Sequence, residues 1–293
     1  MAAILAAITL LSVAWWPASP RGEDTLLVED RFFGSFENAT RITVDAKGSI
    51  FVIDESANSL VVFDSPDRVP RMLGGFGWDQ TTFDRPTGVA TDLLNIYVAD
   101  FGNHRVSRFD RQLTFLSSLA TRDTSFERAR FGYPKGVALS RQGDLFVLDG
   151  ENTRVVKFDA RSRFERSFGD TGPSEGRLQK PVKLLVSRDE RVLVLEQDRI
   201  VEYDYSGNFV LVIQSAGLSG ARGFCVFATG IIVATADRLL FFDQQNVQSW
   251  SIELSHVVAS KAVKPLQDVA CWNDSIILLT PKTAGMFKMV RGK

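Results

Sequence analysis

The sequence predicts an all-β protein: a six-bladed β-propeller of four-stranded antiparallel blades, the last blade completed by the N-terminal strand. Three observations predict it. Short runs of alternating Phe, Val, Leu and Ile are separated by Gly, Asp, Asn or Pro, the pattern of strands and tight turns. Those runs recur six times, with equivalent second-strand ends at Asp54, Asp100, Asp149, Glu196, Thr235 and Thr280, steps of 39 to 49 residues. That period belongs to stacked repeats. The sixth unit also stops after its third strand, while the N-terminal part of the chain holds a spare one.

Residues 1–22 stand apart. Ala2 to Trp16 carries no charge, and Pro17-Ala18-Ser19-Pro20 ends the run. Fifteen uncharged, mostly apolar residues fit the core of a signal peptide and are short for a membrane span. Residues 1–22 are therefore expected to be a signal peptide or signal anchor, and residues 23–293 the propeller. This places the protein in the periplasm or outside the cell, membrane-anchored if the segment is retained. Membrane contact is expected only through that segment.

The first three units align closely. Ile42-Thr43-Val44, Ile50 to Asp54 and Leu60 to Phe63 form the first. Val89-Ala90, Ile96 to Asp100 and Val106 to Phe109 repeat it, as do Val137-Ala138, Leu145 to Asp149 and Val155 to Phe158. Fainter copies open at Pro181, Gly223 and Pro265. One such sheet exposes two apolar faces, so it needs a neighbour on each side; a closed ring supplies both. Leu26 to Gly34 resembles the fourth strand at Phe164 to Gly169 and is assigned to the outer edge of the last blade.

Asp100-Phe101-Gly102-Asn103-His104-Arg105-Val106, the stretch Asp149 to Val155 and the linker Phe168-Gly169-Asp170-Thr171-Gly172 resemble NHL repeats. The resemblance covers residues 37 to 185; later units keep the apolar pattern and lose the Asn-x-Arg turn. It implies a six-bladed propeller, a frame that serves many roles. In it, Asp54, Asp100 and Asp149 read as turn-fixing acids, paired with Arg105 and Arg154 in the second and third units. Asn103 and Asn152 are expected at positive φ.

Net charge is −1, with 24% charged residues and 45% hydrophobic ones. A soluble globular protein fits this balance; a nucleic-acid partner is disfavoured because the basic excess is slight. Propellers related to the NHL type include an amidating lyase holding zinc through channel histidines, and gluconolactonase-like enzymes using central carboxylates. Here the histidines are His104 and His256, too few for zinc. No metal, cofactor or catalytic residue is expected.

The best functional hint lies where each first strand enters the ring, around the channel mouth. The two positions before the aligned residues read Thr40-Arg41, Thr87-Gly88, Lys135-Gly136, Val182-Lys183, Arg222-Gly223 and Gln267-Asp268. Arg41, Lys135, Lys183 and Arg222, beside Asp268, form either a cationic rim for an acidic ligand or internal ion pairs with blade carboxylates. The expected function is an exported, non-enzymatic binding or scaffold propeller presenting this rim to a protein, peptide or anionic ligand, with glycan as a further candidate. The alternatives are a small-molecule lyase or hydrolase acting at the mouth, and a subunit of an envelope complex. Cys225 and Cys271 sit on neighbouring first strands, placed either for a disulfide or as two buried thiols.

Overall fold

The computed structural model describes residues 25–227 and 230–291, so the expectations for residues 1–22 lie outside the described residues. Blade one is β2 (Ala39–Val44), β3 (Ile50–Asp54), β4 (Ser59–Phe63) and β5 (Arg71–Gly74). Blade two is β6 (Pro86–Thr91), β7 (Asn95–Asp100), β8 (Arg105–Asp110) and β9 (Phe115–Leu119). Blade three follows with β10 (Gly136–Leu139), β11 (Leu145–Asp149), β12 (Arg154–Phe158) and β13 (Phe164–Phe168). Blade four holds β14 (Pro181–Val186), β15 (Val192–Glu196), β16 (Arg199–Tyr203) and β17 (Phe209–Gln214). Blade five holds β18 (Gly223–Phe227), β19 (Gly230–Ala234), β20 (Arg238–Phe242) and β21 (Gln248–Glu253). Blade six is β22 (Asp268–Trp272), β23 (Ser275–Leu279), β24 (Ala284–Arg291) and, on its outer edge, β1 (Thr25–Phe33).

The second strands β3, β11, β15 and β19 are buried at every position, because neighbouring blades cover both of their faces. Alternate residues feed opposite interfaces. Ile50 and Val52 pack between blades six and one, while Phe51 and Ile53 pack between blades one and two. The described core divides into six apolar clusters, one at each blade junction. Six junctions between six blades mean that the ring closes. β1 accounts for the closure: it pairs antiparallel with β24 from Thr25↔Arg291 to Phe33↔Ala284, with a register shift between Glu29 and Arg31. Leu27 enters the junction of blades five and six, and Phe33 that of blades six and one.

The entry loops and the turns after the second strands share one face of the ring. Among the described residues no helix is long and apolar enough to cross a membrane.

Candidate functional site

Sheet register sorts the mouth residues into two layers. Arg41, Gly88, Gly136, Lys183, Gly223 and Asp268 oppose Ile53, Ala99, Leu148, Leu195, Ala234 and Leu279, the residues before the second-strand ends. They therefore form one equivalent layer: three glycines and three long or charged side chains. Lys135 and Arg222 belong one residue nearer the mouth, level with Thr40 and Thr87.

The three charged side chains of the inner layer meet across the axis. Lys183 Nζ lies 2.7 and 2.8 Å from the two Asp268 carboxylate oxygens and donates to Phe224 O at 2.9 Å. Asp268 is fully buried, and it also accepts the N–H groups of Ile42 at 3.0 Å and Val269 at 2.8 Å. Arg41 spans the ring from blade one to blade four, donating to Thr40 O and Val182 O at 2.8 and 2.9 Å. The innermost strands turn unpaired backbone groups toward the axis, and these side chains satisfy several of them. Gly223 makes room for Asp268, and Gly88 lets the inner strands of blades two and three approach closely. A Cβ on Gly223 would sit 2.0 Å from Asp268 Oδ1, and one on Gly88 2.9 Å from Gly136 Cα. The channel is thus plugged at this level. Burial pushes the Lys183 ammonium below its ordinary pKa; Asp268 pulls it back up, and Arg41 pushes it further down.

Of the four grouped cations, Lys183 is consumed internally by Asp268. Arg41, Lys135 and Arg222 have no carboxylate partner among the described residues; the Arg222 guanidinium donates to Leu266 O at 3.1 Å. All three remain half-buried rather than fully covered.

Around the mouth, the second-strand acids clamp the loops. Asp100 accepts from Asp84 N–H at 2.8 Å, Asn103 Nδ2 at 2.8 Å and Arg105 Nε at 2.9 Å. Burial pushes its carboxyl pKa up against these partners. Asp149 binds Gly132 N–H, Asn152 Nδ2 and Arg154 Nε in the same way, and Asp54 takes Glu37 and Asn38 N–H groups at 2.6 and 2.8 Å. Each acid therefore ties its own turn to the loop that enters the blade. Sequence reasoning missed that second link, and also Glu196, which holds Gln179 and Lys180 N–H groups and Arg199 Nε. A shorter hairpin had hidden the pair, Arg199 lying three residues on rather than five. Positive φ falls at His104 and Thr153, at 52° each, and not at Asn103 or Asn152. The asparagine side chains are used on the acids instead.

Both ring nitrogens of His104 have protein partners. Its Nδ1 accepts Tyr133 N–H at 3.1 Å, and Arg122, paired with Glu151 at 2.9 Å, flanks its other side. Burial first, then Arg122, holds the imidazole pKa below its ordinary value. Among the described residues no cluster of three or more His, Cys, Asp or Glu is arranged to hold a metal. Cys225 and Cys271 are bonded Sγ to Sγ across the junction of blades five and six, with Cα atoms 5.9 Å apart.

Comparison with known proteins agrees with the repeat pattern. The NHL repeat family model matches residues 83–109 and 131–158. Protein brain tumor of Drosophila melanogaster is 32% identical over 124 residues, 40% of this chain and 12% of that protein. A probable peptidyl-alpha-hydroxyglycine alpha-amidating lyase of Caenorhabditis elegans is 30% identical over 162 residues, 53% of this chain and 43% of that protein. The chain thus spans less than half the length of these relatives. Among solved structures, a gluconolactonase of Xanthomonas campestris superposes with a TM-score of 0.67 at 14% identity, covering 94% of this chain and 98% of that one. Virginiamycin B lyase of Staphylococcus aureus superposes with a TM-score of 0.62 at 12% identity, covering 91% and 100%. At these identities the likeness is one of fold alone.

Proposed function

We propose that this six-bladed β-propeller, matched by the NHL repeat model over residues 83–109 and 131–158, is an exported, non-enzymatic binding module. Its loop-bearing face receives an acidic protein or peptide at the channel mouth. One observation carries the reading: Lys135 and Arg222 at the mouth, and Arg41 in the layer of Lys183 and Asp268 that closes the channel, have no carboxylate partner among the described residues. An anionic group arriving there gains charge-assisted hydrogen bonds that the protein itself does not supply. The apolar run Ala2–Trp16 and the Cys225–Cys271 bond support an oxidising, exported setting.

A lyase or hydrolase at the mouth is the second reading, supported by the names of the nematode relative and the bacterial structures. Against it, the inner layer is filled by side chains already engaged with one another.

The test uses an immobilised oligo-glutamate peptide as probe. The protein is expected to be retained at low salt and released as salt rises. Lys135→Glu/Arg222→Glu is expected to weaken retention at least ~10-fold, about 1.4 kcal/mol. Retention unchanged by that double reversal overturns the reading.

A further inference from the structure

Four of the most exposed large apolar side chains fall within one ten-residue stretch: Val69 at 91%, Met72 at 66%, Phe76 at 65% and Trp78 at 72%. The stretch contains β5, the outer edge of its sheet, and no charged residue lies between Arg71 and Asp79. The chain stays extended past β5. Gly75 N–H donates to Asn58 O and its C=O accepts Phe83 N–H, each at 2.9 Å, both on the inward side. Backbone groups of successive residues in an extended chain point in opposite directions. Met72, Gly74 and Phe76 therefore turn their N–H and C=O groups to the free edge. Their outward faces agree: Met72, Gly74, Phe76 and Trp78 are exposed, while Arg71, Leu73, Gly75 and Gly77 are half-buried. The outer strand β13 exposes the charged residues Glu165 and Arg166, where β5 exposes Met72 and Gly74.

We propose that β5 pairs edge to edge with β5 of a second copy of this chain, antiparallel about a twofold axis at Leu73. A twofold axis that pairs a strand antiparallel with its own copy stands normal to the sheet, so equivalent faces stay on the same side. Even-numbered residues then meet even-numbered ones. Met72 faces Gly74 of the second copy, Pro70 faces Phe76, and Arg68 faces Trp78. Each pair is complementary. Gly74 has no side chain to obstruct Met72, and Pro70 packs flat on an aromatic ring. Arg68, exposed and without an ion pair among the described residues, suits the face of Trp78. Met72 and Gly74 exchange both backbone hydrogen bonds, and Phe76 N–H donates to Pro70 C=O; proline has no N–H to return, so the Phe76 C=O stays with water at the end of the paired segment.

The area is of the right order. Two aromatic and two aliphatic side chains at these exposures present on the order of 500 Å² of apolar surface, toward the ~800 Å² per partner of a standard interface. Arg68, Pro70 and Leu73 extend it. A patch of this size is at the top of the range for an isolated monomer.

Sedimentation analysis of the full chain, held in a mild detergent that solvates residues 2–16, tests the proposal. A dimer is expected at micromolar concentration. Met72→Glu/Trp78→Glu is expected to weaken it ~100-fold or more with an unchanged melting temperature, since both side chains are exposed. Leu116→Glu, on the exposed face of β9, is expected to leave the dimer intact. A photo-crosslinking residue at position 72 gives a second readout: an adduct between copies, mapped to residues 68–78, supports the pairing. The proposal is overturned by a monomer at roughly 100 µM, by a dimer that survives the double substitution, or by an adduct elsewhere.

Discussion

Lys183 and Asp268 show how burial changes the worth of an ion pair. Desolvating both groups costs about as much as their attraction returns, whereas stranding one of them is expensive. Lys183→Met alone leaves a fully buried carboxylate facing only two backbone N–H groups, and is expected to cost about 3–5 kcal/mol. Lys183→Met/Asp268→Asn is expected to recover most of that loss, because the amide oxygen still accepts a backbone N–H. Denaturant melts of both variants check this; a double variant no more stable than the single one shows that the plug acts through something other than charge. The spacing made these two residues visible as candidates. It did not reveal that they face each other, because they lie 85 residues apart and meet only once the ring has closed.

In blades one to four the hairpin between second and third strands is an element that does two jobs. Its acid caps the turn and holds the incoming loop, so neighbouring blades are positioned by the same carboxylate. Blades five and six use Thr235 and Thr280 at this place, bonding to Arg238 O and Thr283 O. Their inner strands are secured by other means, among them the bond from Cys225 on β18 to Cys271 on β22. With a sequence separation of 46 residues, chain-entropy arguments put its stabilisation at up to about 4 kcal/mol. Reduction, or Cys225→Ser/Cys271→Ser, is expected to lower the melting temperature accordingly. An identical melt with and without reductant, alongside free-thiol labelling of the native chain, counts against the bridge and against an oxidising compartment.

At the level of the molecule, the N-terminal strand decides whether the ring is a ring. Leu27 and Phe33 each bury apolar surface worth about 1.5–3 kcal/mol, and β1 also covers the β24 edge. Against a total stability of about 5–15 kcal/mol, deleting residues 1–33 is expected to abolish cooperative unfolding. Addition of a peptide spanning residues 23–36 should restore part of it. A truncated chain that melts at the original temperature shows that β1 is dispensable.

Taken alone, the sequence determined the blade count, the strand order and the strand that closes the ring. Alternating apolar runs, turn residues and a fixed period are local properties, written in neighbouring residues. It also named the inner-strand charges, because they recur at two adjacent repeat positions. Only the tertiary structure decided which of those charges are spent and which remain. Register divides them between two layers: Arg41 and Lys183 reach across glycine-lined space, while Lys135 and Arg222 stay at the mouth. The edge of β5 was equally silent in the sequence, since nothing local to Met72, Phe76 and Trp78 tells whether another segment covers them. Exposure and pairing across a ring depend on contacts between distant segments, and no local pattern encodes those distances.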